Sequence, residues 1–488
     1  MVGCLAVFLL VAFLHSCRHE TNENTPLESL KSIVDWVTQH WKPWDNEVRK
    51  GHVWALVVAG SAGYGNYRHQ ADVAHSYHVL RRGGVLEEHI VVMMYDDIAN
   101  NPLNPHPGTI RNHPQGPDLY QGLRKDYTGD EVNAHNFLAV LKGDVSSVAK
   151  GPNASGRVIQ ATSNDRVFLF YSDHGAPGLL GMPQGGYLFA DQLHDAIRFR
   201  HARQGFREMV LYIEACESGS MFEGLLESDM NVYAMTASNG VESSWGVYCP
   251  GMDPSPPPEY LTCLGDLYSV SWMEDVDSND VSMESLHEQF ERVKKRTSNN
   301  YTFVQGSHVT EFGDLEIDYE PVSWYMGDSC GNSSDCRGAS LSASATHSNS
   351  IGGYEMMYGQ READLLPLIL RAESHSDARD ELERERHARS TIDVHIAEIA
   401  QHIMQHNKEV LQGSFLQLEH LGKQPVASPS GSPALVDDWN CLREMMHAWE
   451  STCGPLGQYG MKHSRTFANL CNLGFDSGHL RASAMTIC

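Results

Sequence analysis

Five apolar runs constrain this chain more than any other feature: "WALVVA" (54–59), "HIVVMMY" (89–95), "RVFLFY" (166–171), "EMVLYI" (208–213) and "NVYAMTA" (231–237). They are continuous rather than alternating, and strands of that kind belong to sheets buried on both faces. Segments of helical pattern separate them. The spacing predicts helices over 69–82, closed by Gly83-Gly84, near 131–142, and near 190–203, closed by Gly205. The expected fold class is therefore α/β, a mostly parallel sheet covered by helices on both faces. In such sheets ligands and reacting groups gather beyond the carboxyl ends of the strands.

At 488 residues the chain exceeds one ordinary core, so a second, smaller domain is expected. The first residues, "MVGCLAVFLLVAFLHSC", form an apolar stretch too short to span a bilayer and read as a signal peptide over 1–17. Residues 18–50 read as an N-terminal leader. The fold is expected over 51–328, followed by a small, polar, breaker-rich linker at 329–353. Beyond it, 354–488 has helical periodicity with interleaved charges. No later segment is long and apolar enough to span a membrane. The net charge of −26 excludes a polyanion partner such as nucleic acid, which needs basic patches.

A secretory route permits disulfides and makes the eleven cysteines informative. Cys4 and Cys17 fall in or beside the signal peptide. Of the other nine, Cys249/Cys263 and Cys330/Cys336 bracket short loops, and Cys441, Cys453, Cys471 and Cys488 cluster near the end. Cys216 is left over. Sequons at Asn153, Asn300 and Asn332 fit a secreted glycoprotein.

Cys216 follows the fourth apolar run, and Asp173-His174-Gly175 follows the third. A thiol attacks a carbonyl only when something takes its proton, and an imidazole suits that task. His174 and Cys216 are thus a candidate base and nucleophile at one sheet edge. Gly175, with no side chain, is a candidate for the oxyanion site beside the Cys216 N–H. Metal chemistry is not expected: there is no His-Glu-x-x-His, and His75 and His78 have no matched carboxylate or cysteine cluster in the sequence. "GSAGYGNY" does not match a nucleotide-binding G-x-G-x-x-G. No cofactor is implied.

The motifs "NYRHQADV", "SDHG", "EACESGSM", "ESSW" and "LGDLYSVSWMED", in that order, resemble the legumain family, asparaginyl endopeptidases of the caspase-like cysteine peptidases. The resemblance implies a caspase-like peptidase domain over 51–328, an activation region at 329–353 and a helical C-terminal prodomain over 354–488, with 18–50 as propeptide. It implies Cys216 as nucleophile, His174 as base and acid, and Asn66 as a third member. Arg68, His69, Glu214, Ser243 and Asp266 would line the pocket for the residue before the cleaved bond. Asp173 resembles the position linked to peptide ligation. In the tail it implies the pairing Cys441–Cys471 and Cys453–Cys488. It also implies that the C-terminal domain covers the active site near neutral pH and leaves when carboxylates protonate. "YCPGMDPSPPPEYLTC" (248–263) looks plant-like, and "RKD" (124–126) stands where some members carry Arg-Gly-Asp, so no integrin-type partner carries over.

The flanking acids Glu214 and Glu217 oppose thiolate formation, so they need another purpose. Residues two apart on a strand share a face, which aims Glu214 and Cys216 into one cleft. Glu214 and Asp266 can accept from a carboxamide NH₂ while Arg68 donates to its oxygen. Asparagine fits, whereas aspartate is rejected until low pH. The expected partners are proteins with Asn before the scissile bond, in an acidic vacuolar, lysosomal or extracellular compartment. Such an enzyme could cut its own linker, at Asn349 in preference to Asn332. Rival readings are a ligase of the same fold and a non-catalytic binding protein.

Overall fold

The computed structural model describes residues 51–184, 186–327, 358–407 and 435–488. The signal and leader segments, the linker, Cys330/Cys336, Asn332 and Asn349 lie outside these residues.

Parallel strands β1 (Val53–Ala59), β2 (Ile90–Met93), β3 (Arg166–Ser172), β7 (Glu208–Glu214) and β8 (Val232–Thr236) form the central sheet. Its order is β11-β8-β7-β3-β1-β2, with β11 (Thr310–Gly313) antiparallel at one edge. The apolar runs are continuous because both faces are covered. On one face, Val167, Leu169 and Tyr171 of β3 share a core with Phe137, Leu193 and Ile197 from the helices Ala134–Lys142 and Ala190–Ala202. On the other, Phe168 and Phe170 meet Trp272 of the helix Leu267–Ser278 edge-on at 5.9 and 5.2 Å. The helix Tyr67–Arg82 also packs there and carries Arg68, His69 and Asp72 into the interior. The predicted elements are all present; the antiparallel edge strand was not foreseen.

Two small sheets flank the carboxyl edge. Strands β4 (Gly175–Ala176), β5 (Leu179–Gly181) and β6 (Tyr187–Phe189) follow the His174 corner. Strands β9 (Trp245–Val247) and β10 (Gly265–Asp266) pair antiparallel, tied nearby by the Cys249–Cys263 disulfide. A third strand, β12 (Tyr358–Gly359), is added to β9 by the C-terminal region.

The C-terminal helices Ser376–His406, Trp439–Cys453, Ser464–Asn472 and Ser477–Ile487 enclose their own apolar core of Ile399, Ile403, Leu442, Trp449, Phe467 and Leu480. Cys441–Cys471 and Cys453–Cys488 close it, in the expected pairing. That core is continuous with Ala176, Leu179 and Phe189 of the β4–β6 sheet, so the helices sit directly on the His174 corner. Among the described residues no helix is long and apolar enough to cross a membrane.

Candidate active site

The register of β3 and β7 builds the site. Ser172 pairs with Glu214, and the Asp173 N–H donates to the Glu214 carbonyl at 3.1 Å. His174 and Cys216 therefore leave the sheet at the same level, two residues beyond that pair. Gly175 lies against Cys216 so closely that a Cβ there would stand 2.3 Å from the Cys216 carbonyl oxygen. Only glycine fits that corner.

His174 is buried, and its Nε2 lies 2.8 Å from Asn66 Oδ1. Asn66 donates its Nδ2 to the Ala62 carbonyl at 3.0 Å and to Gln458 Oε1 at 2.9 Å, which leaves Oδ1 to accept from the ring. The imidazole proton is thereby fixed on Nε2 and Nδ1 is bare. That atom has no hydrogen-bond partner among the described residues. Burial, with His69, Arg68, Arg361 and Arg389 adding to it, holds His174 well below the usual imidazole range. The free thiol of Cys216 is fully buried and pushed up to about 11, chiefly by burial; Arg361 opposes the shift and Glu217 adds to it. Burial thus favours the neutral form of both groups.

Arg68, His69, Glu214 and Asp266 form one fully buried polar cluster. Arg68 Nε donates to Asp266 Oδ1 at 2.9 Å. Glu214 Oε2 accepts from the Ser269 N–H and Oγ, each at 3.1 Å, at the first turn of the helix Leu267–Ser278. Burial and Asp266 push Glu214 up to about 8.

The cluster is occupied by the protein itself. The Gln360 carboxamide donates from Nε2 to Glu214 Oε1 at 3.2 Å and accepts at Oε1 from Arg68 Nη2 at 3.3 Å and from His69 Nε2 at 3.0 Å. Its N–H donates to the Ser244 carbonyl at 3.2 Å, continuing the β12–β9 pairing. The Gln360 carbonyl turns to Arg68 Nη2 at 3.1 Å. Arg361 then reaches the nucleophile's surroundings: Nη2 meets Glu217 Oε2 at 2.6 Å and the Gly175 carbonyl at 3.0 Å, and Nη1 approaches Ser243 Oγ at 3.4 Å.

All of the candidate catalytic and pocket residues thus converge. Asp173 is beside them, fully buried, with Oδ1 3.3 Å from His69 Nδ1; burial pushes its carboxyl up to about 7. Ser243 lies by Arg361 and Cys216 rather than on the Gln360 carboxamide. His75 does have a carboxylate, Asp277 at 3.0 Å, reached only in the fold, while His78 bonds the Leu119 carbonyl. His69, Asp173 and His174 bring three ligand-type atoms within 4.8 Å of one another. Both His69 nitrogens and the His174 Nε2 are committed to Ser61, Gln360 and Asn66, so the cluster is a set of hydrogen-bonding groups. Asn153 and Asn300 are exposed, as glycan acceptors must be. Sequence reasoning missed Gln360, Arg361 and Gln458; the adjacent "YGQREAD" (358–364) offered only a carboxamide and a cation in a polar stretch.

A thiol and an imidazole at the carboxyl edge of a mostly parallel sheet, covered by the chain's own C-terminal segment, are the features of a latent cysteine peptidase. Residues 53–328 match the Peptidase C13 family and residues 380–488 match the legumain prodomain. The vacuolar-processing enzyme of Phaseolus vulgaris is 45% identical over 467 residues, covering 94% of this chain and 89% of that protein. Legumain of Canavalia ensiformis is 45% identical over 492 residues, covering 99% and 96%. The vacuolar-processing enzyme β-isozyme of Arabidopsis thaliana is 46% identical over 446 residues, covering 90% and 86%. Among solved structures, caspase-1 of Spodoptera frugiperda matches at TM-score 0.33 and 9% identity, covering 58% of this chain and 93% of that one. The chain belongs to the peptidase C13 family. It is a cysteine endopeptidase with a C-terminal prodomain.

Proposed function

We propose that the enzyme hydrolyses protein bonds after asparagine, with Cys216 as nucleophile and His174 as general base and then acid. The observation that carries this reading is the Gln360 carboxamide, held by Glu214 as acceptor and by Arg68 and His69 as donors. An aspartate in that position would bring a further negative charge into a buried cluster where Asp266 already disfavours the ionisation of Glu214, and burial penalises that charge. Protonation of the aspartate itself removes the objection, so cleavage after Asp belongs to lower pH.

In the reaction, the thiol proton passes to the bare Nδ1 of His174 as sulfur bonds to the carbonyl carbon. The imidazolium returns that proton to the leaving amine as the peptide C–N bond breaks, giving a thioester. Water, deprotonated by the same imidazole, then releases the acid. Asn66 keeps Nδ1 available throughout by holding the Nε2–H. Gly175 and Cys216 supply backbone N–H groups for the oxyanion. Asp173, buried beside His69, is the candidate through which an amine rather than water could resolve the thioester.

Latency follows from Gln360 and Arg361. The Gln360 carbonyl bonds Arg68 and the chain enters a helical turn at Gln360–Ala363, so the pocket is filled without a bond being offered for attack. The pH dependence of release has a definite sign. Burial raises Glu217 and Asp364 despite their arginine partners, so the covered state binds protons there more tightly and acid does not expel it through them. His174 and His463 are lowered, chiefly by burial; an uncovered site binds protons on them more tightly. Covering is therefore fully stable above the uncovered imidazole pKa, near 6.5, and is lost as pH falls below it. Buried histidines, rather than Glu217 and Asp364, are the proposed acid trigger.

The vacuolar names of the relatives support an acidic vacuolar or lysosomal compartment. The proposed order is signal segment 1–17, propeptide 18–50, peptidase domain 51–328, linker 329–353 and prodomain 354–488, with autocatalytic cleavage at Asn349. The deciding experiment matures the full chain by acid and assays peptides with Asn, Asp or Gln before the scissile bond beside a Cys216→Ser control. Equal rates on all three would remove the asparagine reading, and activity in the control would remove the nucleophile.

A further inference from the structure

Recognition of a carboxamide by His69 depends on which ring nitrogen carries the proton. Burial and Arg68 push His69 down to about 3, so the ring is neutral and has a single proton. Nε2 faces acceptors, Gln360 Oε1 at 3.0 Å and Asp266 Oδ2 at 3.6 Å. Arg68 has only donors, which fixes Gln360 Oε1 as the oxygen and requires the proton on Nε2.

Two groups compete at the other nitrogen. Asp173 Oδ1 lies 3.3 Å from Nδ1, and as a carboxylate it would draw the proton to that side. The ring would then aim a lone pair at the substrate oxygen. Ser61 Oγ lies 2.6 Å from the same Nδ1, and its hydroxyl can donate to a bare nitrogen. Ser61 is fully buried just beyond β1. The preceding Gly60 lets this corner pack on Asp173: a Cβ there would stand 2.7 Å from Asp173 Oδ2.

We propose that Ser61 is a specificity-determining positioning residue, whose hydroxyl donates to His69 Nδ1 and holds the Nε2–H tautomer that reads the side-chain carbonyl of the residue before the scissile bond. This rests on the reading of Arg68, His69 and Glu214 as the pocket for that residue. Ser61 touches neither substrate nor thiol; its hydroxyl reaches His69 Nδ1 and also comes within hydrogen-bond reach of the Asp173 carboxyl, and donation to the ring is what holds the Nε2–H tautomer.

The test uses acid-matured full-length enzyme, wild type and Ser61→Ala, on two peptides differing only in Asn or Ala before the bond, with iodoacetamide labelling of Cys216 as a readout independent of the pocket. Removing the Ser61 donor leaves a misdirected buried polar group, so kcat/KM on the Asn peptide should fall about ten-fold, mainly in KM. The Ala peptide, which offers His69 no side-chain carbonyl, and the labelling rate, which reads Cys216, should stay within about two-fold of wild type, so the preference for Asn over Ala shrinks. If Ser61→Ala fails to mature, Ser61→Cys, similar in shape but a weaker donor, carries the same comparison with a drop of roughly three-fold on the Asn peptide alone. An unchanged preference, or equal losses on both peptides, overturns the role of Ser61. Absence of any Asn preference in the wild type would instead remove the pocket reading, and this inference with it.

Discussion

Arg361 Nη2 lies 2.6 Å from Glu217 Oε2, which brings a cation of the C-terminal region to the residue directly after the proposed nucleophile. Both side chains are nearly buried, so neither charge is tolerable without the other. Breaking the pair from the C-terminal side should loosen the cover while leaving the peptidase residues intact. Arg361→Ala in the full-length chain is expected to raise the neutral-pH rate of Cys216 labelling by iodoacetamide about ten-fold or more, an interaction worth a few kcal/mol at this burial. A rate equal to wild type would mean that Arg361 contributes nothing to latency.

Gln360 makes three side-chain contacts inside the pocket, with Glu214, Arg68 and His69. Gln360→Ala forfeits them and leaves buried polar groups unmatched, at a cost of about 1–3 kcal/mol to the covered state. Release of the C-terminal domain, followed by activity appearance against pH, should then begin closer to neutrality than in wild type. Gln360→Glu tests the charge argument: it loses the donor to Glu214 and buries a further carboxylate in the cluster, so it should open the chain at least as readily.

The histidine trigger makes its own prediction. His463 Nε2 lies 2.7 Å from Asp393 Oδ1, and burial keeps the ring below its ordinary pKa. His463→Gln retains a donor but cannot titrate, so the midpoint of acid release should move to lower pH by roughly half a unit. A carboxylate-driven switch would leave that midpoint where it was.

On the proposed mechanism, Cys216→Ser and His174→Gln should each reduce kcat by a factor on the order of 10³ or more with little change in KM, because they would remove attack and proton transfer rather than binding. Asn66→Ala should cost less, about ten- to a hundred-fold, since the ring loses orientation but keeps its base nitrogen. Single-turnover acylation rates would separate these effects from product release.

The central sheet was legible because strands buried on both faces must be apolar throughout, and "RVFLFY" shows that pattern without interruption. The strand ends then pointed to His174 and Cys216. The short edge strand Thr310–Gly313 was not legible: four half-buried residues carry no periodic signal. The pairing of Glu217 was not legible, because its partner Arg361 is 144 residues away in sequence. Gln360 escaped notice for a related reason. Its place among Glu214, Arg68 and His69 needs only the right functional group at the right address, and the address exists only after β12 has joined β9.

The shared apolar core at the His174 corner has a consequence for the enzyme's life after maturation. Ala176, Leu179 and Phe189 are dry only while the C-terminal helices rest on them. Once those helices leave, a greasy ledge opens directly beside His174, and water must wet it. The mature protease is thus left with an apolar margin next to its working edge.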